Sequence, residues 1–111
     1  MKIGFIGAGN MATAIIKGII NNSFVNCSDV YVSDRDVAKL DEIKKIGVNV
    51  STDNICTATQ ADMVVFCVKP GIVPAVAKEV ADSVRGKIIV SIAAGVSMQK
   101  LRKSLEQMQK S

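Results

Sequence analysis

Histidine and tryptophan are absent from the sequence, and its three cysteines, Cys27, Cys56 and Cys67, include no CxxC pair. Zinc sites draw on histidine and paired cysteines, and a disulfide framework needs an even set of thiols, so we predict neither. Unpaired thiols are typical of a reducing compartment. We therefore expect a cytoplasmic protein without a metal site.

Aromatic residues are also scarce, with one tyrosine and three phenylalanines in 111 residues. Sites for single-stranded nucleic acid combine a basic groove with aromatic side chains on which the bases stack. The net charge of +4 comes from residues spread along the chain, with one mild basic cluster at Lys100, Arg102, Lys103 and Lys110. We interpret that cluster as a solvated helix face and expect no nucleic-acid partner.

Long apolar runs are lacking as well. The uncharged segment at residues 3–16 follows Met1 and Lys2, as the core of a secretory signal would. Gly7 and Gly9 interrupt it where a strand would turn into a helix, which argues against a signal. No segment reaches the roughly 20 apolar residues that a membrane-spanning helix needs, so we expect no membrane partner.

Hydrophobic residues nevertheless make up 49% of the chain, and its mean hydropathy is +0.31. In a chain of single-domain size, this richness predicts strands that are buried on both faces, or an exposed apolar face that supports self-association. Both interpretations fit a parallel sheet.

Strand and helix patterns alternate along the whole chain. Apolar runs predict strands at residues 2–6, 30–32, 48–50, 63–68 and 87–92. Helical spacing predicts helices at 11–20, 37–46 and 76–84, a brief one running into Thr57, and a last one from Ser97. Right-handed crossovers then give an α/β fold with a Rossmann-type, doubly wound parallel sheet of order 3-2-1-4-5 and helices on both faces.

A glycine-rich turn follows the first predicted strand, with the sequence Gly7-Ala8-Gly9-Asn10-Met11-Ala12. This GxGxxA pattern between a strand and a helix is typical of dinucleotide-binding sheets. Gly7 permits the tight turn, Gly9 lets a pyrophosphate approach the backbone, and Ala12 lets the helix pack closely on the strand. The alternative is a turn that only shapes the connection.

The end of the second strand gives two conflicting signals. Asp34 lies about 20 residues beyond the turn, where an acid receives the ribose hydroxyls of NAD. Arg35 is suited to the 2'-phosphate of NADP, and the Ser33 hydroxyl adds a donor. In the alternative interpretation, Asp34 and Arg35 belong to a polar turn before Asp36 caps the next helix.

Three segments, in order, resemble those of pyrroline-5-carboxylate reductases. They are IGFIGAGNMA at residues 3–12, the CVKP sequence at residues 67–70, which is similar to the family's (A)VKP segment, and SIAAGVS at residues 91–97. The likeness therefore runs along nearly the whole chain.

The resemblance implies which residues bind a dinucleotide, with NADPH favoured and NAD kept open by Asp34. The implied contacts are Ile6, Gly7, Ala8, Gly9, Asn10 and Met11 at the pyrophosphate and Ser33, Asp34 and Arg35 at the ribose of the adenosine. Val68, Lys69 and Pro70 would flank the nicotinamide side, and Asn54, Cys67, Ala93, Ala94 and Gly95 would also touch the cofactor. Besides the glycine turn, Asp34 and Arg35, three further residues have structural alternatives: Asn54 as a helix cap, Cys67 as a packing residue and Lys69 as a solvated side chain. We assign no catalytic residue.

The resemblance also implies a reaction, hydride transfer from NAD(P)H to the C=N carbon of 1-pyrroline-5-carboxylate, which gives L-proline. Family members continue into a helical carboxy-terminal domain that forms the dimer and most of the imine pocket, so we expect residues 1–111 to be a dinucleotide-binding domain that is incomplete for catalysis. The alternatives are a dehydrogenase of the 6-phosphogluconate type and a non-catalytic dinucleotide-sensing module.

Overall fold

The computed structural model describes residues 1–92, so the predictions for Ala93, Ala94, Gly95 and the helix from Ser97 lie outside the described residues. The strands are β1 (Ile3–Ile6), β2 (Val30–Ser33), β3 (Asn49–Ser51), β4 (Met63–Phe66) and β5 (Ile88–Ser91). The helices are α1 (Asn10–Asn21), α2 (Val37–Lys44), α3 (Asn54–Gln60) and α4 (Val73–Val80), with a 3-10 turn at Cys27–Asp29.

The five strands form one parallel sheet of order β3-β2-β1-β4-β5, as predicted. Ile6 at the end of β1 is in register with Ser33 of β2 and Phe66 of β4. The carboxyl ends of these three strands are therefore level, and the strand order reverses beside β1. In such sheets ligands bind in the crevice beyond this edge.

Side chains alternate between the two faces of the sheet and produce two separate cores. Phe5, Val32 and Val65 pack with Ala12 and Ile16 of α1 and with Leu40 and Ile43 of α2. Ile6, Val64 and Phe66 pack with Ala58 of α3 and with Val73, Ala77 and Val80 of α4. The protein therefore has three layers, with helices on both faces as predicted.

The ends of several elements differ from the predicted ones. β4 was predicted to run through residue 68 but ends at Phe66, because its pairing with β1 ends there, and Cys67 and Val68 belong to the following loop. α4 begins at Val73, with Pro74 in its first turn, where a proline needs no N–H partner. Hence the loop between β4 and α4 is short, and α4 begins close to the carboxyl ends of the strands.

None of the helices within residues 1–92 is both long and apolar enough to cross a bilayer.

Candidate functional site

A cavity of about 720 Å³ lies beyond the carboxyl ends of β1, β2 and β4. Among the predicted site residues it brings together Gly7, Gly9, Ser33, Asp34, Arg35, Asn54, Cys67, Val68 and Lys69. Ile6, Ala8, Asn10, Met11 and Pro70 are not part of its lining. Residues missed by the sequence analysis complete the wall: Lys39, Gly71, Ile72, Ala75, Val76 and Glu79.

Gly7 occupies a conformation and a space that only glycine fits. Its φ is +107°, in the region that L side chains rarely adopt. A Cβ at this position would lie 2.8 Å from the carbonyl oxygen of Cys67, and the Gly7 N–H donates to the Ser33 carbonyl oxygen at 2.7 Å. The turn after β1 is therefore packed directly against the ends of both neighbouring strands.

Gly9 differs from Gly7, because a Cβ built there would meet no atom within 4 Å in the described structure. Gly9 is the N-cap of α1, and within residues 1–92 no side chain accepts from the N–H groups of this helix's first turn. That turn also contains no acidic residue. Free N–H donors, the positive end of a helix dipole and open space together suit an anion such as a pyrophosphate.

Asp34 connects the glycine turn with the segment after β2. Its carboxylate accepts from the Ala8 N–H at 2.8 Å through one oxygen and from the Asp36 N–H at 2.8 Å through the other. Each oxygen keeps a lone pair for a further donor, such as a ribose hydroxyl. Asp36 caps α2 by accepting from Ala38 and Lys39, so the polar-turn interpretation is also met, without removing Asp34 from the cavity.

Ser33, Asn54 and Glu79 form a chain of two hydrogen bonds along the cavity wall. The Ser33 hydroxyl and the Asn54 Oδ1 are 2.8 Å apart, as are the Asn54 Nδ2 and the Glu79 Oε1. The Glu79 carboxylate can only accept, which requires the NH₂ group of Asn54 to face it, and the Asn54 oxygen then accepts from Ser33.

These contacts differ from two expectations of the sequence analysis. The fully buried Ser33 hydroxyl was expected to donate toward a phosphate, but its hydrogen is already donated to Asn54. The expectation of Asn54 as a helix cap is wrong, because Asp53 caps α3 by accepting from the Ile55 N–H at 2.9 Å. Asn54 is the first residue of α3 and is thereby free to face the cavity.

Within residues 1–92, three cationic side chains line the cavity: Arg35, Lys39 and Lys69. All three are exposed, and none forms an ion pair with an acidic residue of the described part of the chain. Arg35 directly follows Asp34, Lys39 lies in the first turn of α2, and Lys69 lies in the loop after β4. The sequence analysis missed Lys39 as a cavity residue. Its position four residues after Arg35, in the first turn of the predicted helix, could have indicated that it lies near the ribose site.

Apolar residues form another part of the cavity wall. Ile72, Ala75 and Val76 line the cavity from the start of α4, and Glu79 follows on the same helix face, in an i, i+3, i+4, i+7 pattern. This spacing was visible in the sequence, but only the structure shows that the face is directed toward the cavity and not entirely toward the core.

Burial raises the pKa of the Cys67 thiol to about 12, because a thiolate would lose its hydration there. Its side chain packs on the core formed with α1 and α2. A thiol that stays neutral is a poor nucleophile, so packing describes Cys67 better than chemistry does.

Comparison with known proteins identifies the relatives of the chain. Residues 2–95 match the family described as "NADP oxidoreductase coenzyme F420-dependent". Pyrroline-5-carboxylate reductase 3 from Danio rerio is 39% identical over 106 residues, which are 95% of this chain and 37% of that protein.

Solved structures of pyrroline-5-carboxylate reductases are also similar to this chain. A pyrroline-5-carboxylate reductase from Coxiella burnetii superimposes with a TM-score of 0.88 at 37% identity, over 94% of this chain and 39% of that one. Plasmodium falciparum pyrroline carboxylate reductase with NADP bound gives 0.82 at 26% identity, over 95% of this chain and 38% of that one. The chain thus spans little more than a third of the length of these relatives. It belongs to the NADP oxidoreductase, coenzyme F420-dependent, family and is homologous over nearly its whole length to pyrroline-5-carboxylate reductases.

Proposed function

We propose that this chain binds NADPH in the cavity and holds its nicotinamide for hydride transfer to 1-pyrroline-5-carboxylate, in a cytoplasmic reductase that forms L-proline. One observation carries the proposal: the open turn at Gly9 lies at the uncapped N-terminus of α1 and faces the same cavity as Asp34 and Arg35. A pyrophosphate site after β1 and a ribose site after β2 that share one cavity are typical of dinucleotide-binding sheets.

The residues present fit such a cofactor. The N–H groups of Gly9, Asn10 and Met11 would hold the pyrophosphate, while Ile6 and Ala8 would shape the turn from the core side. Asp34 and Asn54 would meet the ribose. Cys67, Val68, Lys69 and Pro70, together with Ala93, Ala94 and Gly95, would enclose the remaining part of the cofactor.

The charges around the ribose support NADPH over NADH. Arg35 and Lys39 are two cations without acidic partners in residues 1–92, and a 2'-phosphate would supply that partner. The Plasmodium falciparum relative was solved with NADP bound. Asp34 opposes this preference, because its negative charge suits ribose hydroxyls, and NADH therefore stays a weaker ligand of the same site.

When bound, the nicotinamide ring supplies the hydride, which is the hard chemical step. The described residues bind and orient the cofactor, and we assign none of them as the acid that protonates the substrate nitrogen. We propose that residues 1–111 act as the dinucleotide-binding domain, and that the imine pocket and the dimer interface belong to the helical carboxy-terminal domain that the resemblance implies. Self-association through an exposed apolar face stays a prediction.

Calorimetric titration with NADPH and NADH, followed by an assay for proline formation from pyrroline-5-carboxylate, tests these assignments. We expect tighter binding of NADPH and no turnover by this chain alone. If the folded chain bound neither nucleotide at millimolar concentration, the cofactor site would be disproved. Turnover would instead contradict the placement of the imine pocket in another domain.

A fusion of this chain to the remainder of the Coxiella burnetii relative distinguishes the two hypotheses for this chain, a reductase domain and a non-catalytic dinucleotide-sensing module. Proline formation by the fusion supports the reductase. A fusion that binds NADPH but forms no proline supports a module that binds the dinucleotide without transferring hydride.

A further inference from the structure

Glu79, at which the hydrogen-bonded chain from Ser33 and Asn54 ends, has no task in the proposed function. We infer that the Glu79 carboxylate recognises the amino group of an adenine ring and so selects an adenine nucleotide. This inference rests on the proposed function, because it assigns the base of the same dinucleotide.

The position of Glu79 follows from the order of groups along the cavity. The pyrophosphate would lie at Gly9 and the ribose at Asp34, at the end of β2. Ser33 ends the same strand, and two hydrogen bonds of 2.8 Å lead from it through Asn54 to Glu79. The carboxylate therefore borders the region just beyond the ribose, where the base must lie.

The surroundings of Glu79 suit a flat ring with one polar edge. Ile72, Ala75 and Val76 precede it on the cavity side of α4, and Ile72 is 47% exposed although it is apolar. A base lying on this wall would cover the exposed apolar surface of Ile72. Its outer edge would then reach Glu79.

The second carboxylate oxygen of Glu79 can accept a hydrogen bond from the C6 amino group of adenine, a donor that hypoxanthine and guanine lack at that position. The Oε1 atom accepts from Asn54, and Oε2 has no hydrogen-bond partner within residues 1–92. Adenine carries an NH₂ donor at C6, whereas hypoxanthine and guanine carry a carbonyl oxygen there. An ionised carboxylate only accepts, so it would bind the adenine amino group and repel the oxygen of the other two bases.

The buried end of the hydrogen-bonded chain restrains the flexible Glu79 side chain, so that it can distinguish adenine from other bases. Ser33 is fully buried, and its hydroxyl orients the Asn54 amide, which in turn holds Oε1. The Glu79 carboxylate is thereby restrained by a contact within the protein, which reduces the entropy lost when a base binds. Asn54 is a positioning residue in this arrangement.

The test compares NADPH with its hypoxanthine analogue, in which the amino group at C6 is replaced by oxygen. Calorimetry on the full chain should give a Kd for the analogue about tenfold weaker than for NADPH, the usual effect of losing a hydrogen bond to a charged group. Glu79→Gln should lower this ratio toward one, because an amide can also donate to oxygen, and Glu79→Ala should remove it. Glu42→Gln, an exposed site on α2 away from the cavity, should leave both Kd values unchanged.

Glu79 is exposed, so its variants should fold like the parent chain, which thermal unfolding verifies. The inference is overturned if the parent chain binds both nucleotides equally, or if the ratio is the same in Glu79→Gln as in the parent. In those cases NADPH still binds and the proposed function stands. If neither nucleotide binds the parent chain, the proposed function fails and this inference fails with it.

Discussion

The Asp34 carboxylate accepts a hydrogen bond of 2.8 Å from the backbone N–H of Ala8, across 26 positions of sequence. Ala8 lies between the two glycines of the turn after β1, and Asp34 directly follows β2. The second carboxylate oxygen holds the Asp36 N–H, also at 2.8 Å. The turn proposed for the pyrophosphate and the segment proposed for the ribose are thus joined by a direct hydrogen bond.

Asp34→Asn should destabilise the fold by roughly 1–3 kcal/mol, the usual cost of leaving a partly buried donor without its acceptor. In either amide orientation, the NH₂ group of asparagine faces one of the two N–H donors, at Ala8 or at Asp36. Urea unfolding measures the loss. Asp41→Asn, an exposed change on α2, is the matched control and should stay within about 0.5 kcal/mol of the parent. Equal stability of the two variants would show that the connection contributes nothing.

The two glycines of the turn should respond in opposite ways to alanine. Gly7→Ala places a Cβ 2.8 Å from the Cys67 carbonyl oxygen at a φ of +107°, so we expect a loss of stability of at least about 1–3 kcal/mol. Gly9→Ala meets no atom within 4 Å in the described structure, and its φ of −74° is ordinary for alanine. It should unfold like the parent chain and lose NADPH affinity, because its methyl group occupies the space proposed for the pyrophosphate.

Thermal unfolding and calorimetry on the same two samples distinguish these effects. Normal NADPH affinity in Gly9→Ala would contradict the placement of the pyrophosphate. Normal stability in Gly7→Ala would contradict the close contact between the turn and the loop after β4.

The sheet and the glycine turn were predictable because their signals are local. The alternation of apolar runs with helical spacing predicts a parallel sheet, and right-handed crossovers reduce the possible strand orders to a few, which include the observed one. Gly7 and Gly9 are adjacent in sequence to the strand and helix that they join. The end of β4 was not predictable, since residues 67 and 68 continue the apolar run and only the register with Ile6 shows where pairing stops.

The polar side of the cavity depends on contacts between distant residues, which local patterns do not contain. Ser33 and Asn54 are 21 positions apart, and Asn54 and Glu79 are 25 apart. The direction of the Ser33 hydroxyl follows from an acceptor on α4, so no inspection of the β2 segment could have shown that its hydrogen is already donated.

Arg35→Gln and Lys39→Gln should each weaken NADPH binding by about fivefold, which corresponds to roughly 1 kcal/mol for an exposed charge pair. NADH binding should change little, because NADH lacks the 2'-phosphate. Lys17→Gln removes an exposed charge that does not line the cavity and should leave both affinities unchanged. Raising the salt concentration should weaken NADPH binding more than NADH binding. Equal losses for the two nucleotides would assign these cations to the pyrophosphate or to general attraction.

The buried thiol of Cys67 gives a prediction about pH. Its pKa is raised from 9.0 to about 12 by burial, so the folded state keeps the proton that the unfolded chain releases near pH 9. The contribution of this group to stability is therefore fully present below pH 9 and is lost as the pH rises toward about 12.

Alkylation by iodoacetamide follows the same pKa, because the thiolate is the reacting species. A variant with Cys27→Ser and Cys56→Ser keeps only Cys67 and should react slowly at pH 9, whereas a variant that keeps only the exposed Cys56 should react much faster. Adding urea should raise the rate of the Cys67-only variant toward that of the Cys56-only variant, since unfolding restores hydration to the thiolate. Similar rates in the two folded variants would show that burial does not protect Cys67, and the thiol would then have to be reconsidered as a reactive group beside the cofactor.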